Sequence, residues 1–199
     1  LLSIILGILC GFAKPLLSLW LGDNFSSLYL IFILKTFPLL FSLSVGSYFL
    51  VFRAWNRLKE PAIFTLVTGF LSVLISIVLL ELDYVSTIGI VLINGFATIF
   101  QSFVFAIYYF GKLYNLTRLD LIMDFLFSIL VFSVSFIFSI ILSNYFEVNS
   151  WLELLTYSSI IAGCILLTTF KFFMKLEYKT IILSFMPKFL QRRLSFIFN

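Results

Sequence analysis

Residues 119–142 read LDLIMDFLFSILVFSVSFIFSIIL, and the only charges in them, Asp120 and Asp124, fall in the first two helical turns. A bilayer core of about 30 Å is crossed by about 20 mostly apolar helical residues, because lipid offers no partner to backbone N–H and C=O groups. This stretch meets that requirement, and five others do too: Leu1 to Leu21, Leu28 to Phe52, Ala62 to Leu80, Ser86 to Phe110 and Leu154 to Met174. The sequence therefore predicts an all-α integral membrane bundle of six transmembrane helices over residues 1–174, followed by a basic interfacial tail at 175–199. The links between spans are short, so consecutive helices run antiparallel.

Composition agrees. Of 199 residues, 62% are hydrophobic, 20% aromatic and only 11% charged, against about 25% charged in a soluble domain. Thirteen Lys and Arg with nine Asp and Glu cannot cover a water-facing surface. Histidine is absent, which removes the commonest general base and metal ligand together. Cys10 and Cys164 lie inside apolar runs and read as small buried hydrophobes. No metal and no cofactor is expected. The chain opens at Leu1 in the middle of an apolar run without a basic leader; that is not a signal peptide, and it predicts a fragment of a longer protein.

The positive charges set a direction. Arg53, Arg57 and Lys59 share one loop, Lys112 and Arg118 a second, and Lys171, Lys175, Lys179, Lys188, Arg192 and Arg193 the tail. The intervening loops carry Asp23, Glu81, Asp83, Glu147 and Glu153 with no Lys or Arg. Lys and Arg accumulate on the cytoplasmic side of short loops, so both ends of the chain are expected in the cytoplasm. The net charge of +4 is thus a topology signal, with no basic stripe suited to nucleic acid.

Two basic residues have no interface to sit in. Lys14 and Lys35 each lie seven residues from the outer end of a span, about 10 Å deep in a straight helix, and a charge near mid-bilayer is a functional candidate. Polar and small residues form helical stripes on several spans: Gly7, Gly11, Lys14 and Ser18; Lys35, Pro38, Ser42 and Gly46; Thr65, Thr68, Ser72 and Ser76; Thr87, Asn94, Thr98, Gln101 and Tyr108; Asp124, Ser128, Ser135 and Ser139. Such stripes either wall a cavity or serve as seams where helices approach closely. Asn94 and Gln101, the costliest uncharged groups, are candidate ligand contacts, and Asp124 is a candidate proton or cation site. Pro15 and Pro38 remove backbone hydrogen bonds and permit kinks.

The stretch Lys14-Pro15-Leu16-Leu17-Ser18-Leu19-Trp20-Leu21-Gly22-Asp23-Asn24-Phe25 resembles the P-L-L-x-L-W-L-G-x-x-F end of a span in polysaccharide exporters. These are the O-antigen flippase-like members of the multidrug, oligosaccharidyl-lipid and polysaccharide exporter superfamily. The similarity in feature order runs on through the basic loop Arg53 to Lys59 to Tyr108-Tyr109-Phe110-Gly111-Lys112, covering Lys14 to Arg118. It departs at Ile88-Gly89-Ile90, where the family often has two glycines, and Leu119 to Met174 matches no motif.

The resemblance implies two similar bundles around a central cavity, this chain being the C-terminal one and its partner a missing N-terminal bundle. It also implies a non-enzymatic function: export of an oligosaccharide on a polyprenyl diphosphate across the bacterial inner membrane. Lys14 and Lys35 would then supply counter-charge to the diphosphate, and Asn94 and Gln101 hydrogen bonds to sugar hydroxyls. A drug or metabolite exporter of the same superfamily is the nearest alternative, though lysines in place of carboxylates point to anions. A membrane-embedded glycan polymerase or glycosyltransferase is the other, and the short loops lack its clustered acid–base or metal groups.

Overall fold

A computed structural model of the chain describes residues 1–54, 56, 59–82, 86–104, 109, 111–114 and 118–173. The basic tail at 175–199 lies outside the described residues. Among those described, every regular element is helical: α1 (Leu2–Gly11), α2 (Ala13–Leu21), a 3-10 turn (Asp23–Leu28), α3 (Tyr29–Ala54), α4 (Lys59–Glu81), α5 (Thr87–Val104), the short α6 (Gly111–Tyr114), α7 (Arg118–Tyr145) and α8 (Trp151–Phe173). Five helices are long and apolar enough to cross a membrane, and α1 with α2 makes a sixth span if the bent pair counts as one. Leu66, Phe70 and Ile77 of α4 are exposed, as suits helices whose solvent is lipid.

The first span is not the continuous helix expected over Leu1 to Leu21. It breaks at Phe12, and α2 leaves α1 at 72°. The cause is local. Pro15 has no N–H, so the Gly11 carbonyl loses its donor four residues on. Bonds on either side survive, Phe12 N–H to the Ile8 carbonyl and Leu16 N–H to the Phe12 carbonyl, each at 2.9 Å. Pro15 thereby falls in the first turn of α2, where a missing donor costs nothing. Pro38, by contrast, sits inside an unbroken α3. It packs towards α5 at Gly95, where an added Cβ would lie 3.0 Å from the Pro38 ring.

The bundle closes through α1 and α7. Gly7 lies against Phe132, Ser135 and Phe136, and Gly11 against Phe136, Ser139 and Ile140. Both contacts advance in the same direction, so the first and fifth spans are parallel, as alternating connections require. Ser135 and Ser139 are wholly buried. The Gly7/Gly11 and Ser135/Ser139 halves of two polar stripes are therefore one packing seam, in which small residues let backbones approach.

Around the seam lie two apolar clusters. Leu6 and Cys10 of α1 gather with Leu40, Phe41 and Val45 of α3 and Phe125 and Phe132 of α7. Here Phe37 meets Phe132 edge-on at 5.4 Å between ring centres and Phe41 stacks on Phe125 at 6.0 Å, arrangements that aromatic quadrupoles favour. On the other side Ile4, Ile8 and Phe12 gather with Val131 of α7 and Ile161 and Ile165 of α8. The last span opens with a reciprocal cap: Glu153 accepts from the Asn149 and Ser150 amides at 2.9 and 3.2 Å, and the Ser150 hydroxyl accepts from the Glu153 amide at 3.3 Å, closing off donors that α8 leaves free.

Candidate functional site

Because α2 is inclined by 72° to α1, the seven residues from Lys14 to Leu21 rise along the α1 axis by only about 3 Å, where a straight helix would rise about 10 Å. The expected depth of Lys14 is corrected accordingly. It lines a cavity of about 260 Å³ together with Gly11, Tyr29, Ile33, Ser143 and Asn144. Tyr29 opens α3, and Ser143 and Asn144 belong to the last turn of α7. Lys14 therefore stands at the rim of the bundle, on the side that carries the acidic loops.

Lys35 lies elsewhere. It follows Ile33 by two positions, about 200° around α3, so it points away from the Lys14 cavity. Its neighbours Thr36 and Leu40 turn inward, whereas Lys35, Leu39, Leu43 and Gly46 form an exposed strip. Lys35 is six residues past the start of α3, about 9 Å along it. Neither lysine has an ion pair or a hydrogen bond among the described residues. The two are thus not a matched pair in one pocket: one stands at the rim and one on an open intramembrane face.

The structure brings Asn94 and Gln101 to α4 instead of to either lysine. Gln101 Nε2 donates to Thr65 Oγ1 at 2.6 Å, and the Thr65 hydroxyl donates in turn to the Pro61 carbonyl at 2.9 Å. Thr68 Oγ1 lies 3.3 Å from Gln101 Oε1 and Ser72 Oγ 3.3 Å from Asn94 Oδ1. Both hydroxyls are nearer carbonyls of their own helix, at 2.8 Å. Asn94 Nδ2 donates to the Ile90 carbonyl at 3.0 Å. The stripes on the third and fourth spans are therefore two sides of one polar seam between antiparallel helices. A groove of about 470 Å³ beside it is lined by Leu71, Ile75, Leu92, Phe96 and Phe100 with Thr68 and Ser72; Asn94 and Gln101 do not line it.

The seam carries a modest load. Gln101→Leu removes the 2.6 Å bond but leaves Thr65 and Thr68 their own carbonyl acceptors. The expected cost is about 0.6–1.7 kcal/mol, the range for interhelical hydrogen bonds in membranes, read as a small fall in the thermal midpoint of the purified protein in detergent.

Asp124 lies within α7, and its side chain is outside the described residues. No group of three or more Cys, Asp and Glu is placed to hold a metal among those described. Sequence reasoning missed the elbow at Phe12 and the cavity it creates. The signal was present in Pro15, read only as permission to kink.

No family model matches the chain, and no solved structure matches it. A 113-residue stretch is 29% identical to the uncharacterized membrane protein EpsK of Bacillus subtilis (strain 168), covering 57% of this chain and 22% of that protein's length. Fold and comparison together show a multi-pass membrane protein.

Proposed function

We propose that this chain is part of a transporter that carries a lipid-linked oligosaccharide across the bacterial inner membrane, gripping the substrate by its polyprenyl diphosphate. One observation carries the reading: Lys35 is an exposed ammonium about 9 Å along a membrane-crossing helix, unpaired among the described residues, on a face that no described helix covers. A lysine inside a span is disfavoured by an amount that reaches about 2.5–3.5 kcal/mol at the centre on insertion scales. An anion passing that face offsets this cost, and a diphosphate is such an anion.

The W-L-G turn at Trp20-Leu21-Gly22 and its resemblance to polysaccharide exporters supply the substrate class. In this reading the exposed strip of α3 faces a second bundle, and rocking of the two exposes the strip to each side in turn. With the basic loops on the cytoplasmic side, the diphosphate enters along the strip from that side and leaves on the side of the acidic loops.

The test replaces Lys35 in the full-length protein and measures glycan at the cell surface. Lys35→Gln is expected to lower export at least about tenfold, the loss of one charge-assisted contact, with membrane levels unchanged, and Lys35→Arg to retain most of it. Wild-type export by Lys35→Gln would overturn the reading.

A further inference from the structure

The elbow cavity contains more than one lysine needs. Its polar groups come from three separate helices: the Lys14 ammonium from α2, the Tyr29 hydroxyl from α3, and the Ser143 hydroxyl and Asn144 amide from α7. None of the four has a hydrogen bond among the described residues. All four can donate, and no carboxylate lines the cavity. Of the two acids nearest in sequence, Asp23 already accepts from the Ser18 hydroxyl, and Glu147 is exposed and does not line the cavity.

The local dipoles do not reverse this preference. The C-termini of α7 and α1 each bring about half a negative charge and the α2 N-terminus about half a positive one, which with Lys14 leaves the cavity about half a charge positive. At about 30 Å³ per water, the 260 Å³ volume holds a phosphate group with its ester substituents. It lies between the first turn of α3 and the last turn of α7, at the ends of two membrane-crossing helices, where lipid headgroups meet a span.

We propose that the elbow cavity is a binding site for the phosphate of a membrane lipid, held by Lys14 with Tyr29, Ser143 and Asn144. The site rests on the membrane-spanning fold alone and not on the transport reading, because Lys35 takes no part in it. Phosphatidylglycerol from the bilayer and a polyprenyl phosphate present the same chemistry to it.

The test is native mass spectrometry of the full-length protein in detergent, titrated separately with phosphatidylglycerol, phosphatidylcholine, polyprenyl phosphate and inorganic phosphate. Retention of at least one anionic lipid is expected, weakened roughly 10- to 100-fold by Lys14→Gln, less by Asn144→Leu, restored by Lys14→Arg and unaffected by Lys59→Gln at the start of α4. Preference between phosphatidylglycerol and polyprenyl phosphate tells which lipid is the ligand. If Lys14 merely neutralised the end of α7, Lys14→Gln would lower the thermal midpoint and leave lipid retention unchanged, and the proposal would fall. Equal retention of phosphatidylcholine, or inorganic phosphate displacing lipid at equal concentration, would overturn it too.

Discussion

Gly11→Val is expected to prevent assembly of the bundle. A Cβ at Gly11 would collide with the Ser139 side chain and stand 2.9 Å from the Phe136 carbonyl oxygen, while one at Gly7 would lie 2.6 Å from the Phe132 carbonyl oxygen. The obstacle is in part backbone of a long helix, which cannot move aside alone. Replacing a helical glycine by valine gains only about 0.3 kcal/mol of propensity, but forcing even one extra group into a packed seam costs about 1–3 kcal/mol. Valine adds three groups, so the clash wins by a wide margin. Lipid makes the outcome worse, because tails are as apolar as the helices and only close packing favours association. The variant should reach the membrane yet run as an aggregated or protease-sensitive species on size exclusion. Gly11→Ala with Ser139→Gly, which removes the side-chain collision and leaves only the 2.9 Å approach to the Phe136 carbonyl, should recover part of the monodisperse protein. A well-behaved Gly11→Val protein would contradict the described seam.

The second large effect is at the elbow. Phe12 is 1% exposed, and it occupies the break itself within the cluster of Ile8, Val131 and Ile161. Phe12→Ala would open a cavity of about 100 Å³, which at about 24 cal/mol per Å³ amounts to roughly 2–3 kcal/mol if the helices do not close over it. The water-to-oil transfer contribution that swells such values in soluble proteins is absent in lipid, so the loss should sit at this lower figure. It should also be directional. With the wedge gone, the 72° angle is held by the proline-freed Gly11 carbonyl alone, and α2 should sample straighter arrangements. Paired spin labels at Leu2 and Leu21 should report a longer and broader distance distribution in Phe12→Ala. An unchanged distribution would mean that Pro15 sets the angle without help from packing.

The six spans were legible because hydropathy and length state them directly, and α3, α4, α7 and α8 begin and end within about three residues of expectation. The break at Phe12 was not. Both arms are equally apolar, so no hydropathy measure marks the turn, and the depth assigned to Lys14 assumed a straight axis. The polar stripes were visible, but stripes do not name their partners. Gly7 and Gly11 found Ser135 and Ser139, and Thr65 found Gln101, which gave packing roles to groups whose spacing equally suited a cavity wall. Lys35 on its exposed strip shows the opposite limit: sequence marked the residue as costly but not which side of α3 it would take.

The parallel pairing of α1 with α7 also orders events during synthesis. Gly11 and Ser139 are 128 residues apart. At about 5–20 residues per second, a ribosome needs roughly 6 to 26 s to deliver the second after the first. Throughout that interval the small-residue face of α1 lies in the bilayer or the translocon with its intended mate not yet made, exposed to any other close-packing helix, and the insertion machinery must keep it unpaired until the fifth span arrives.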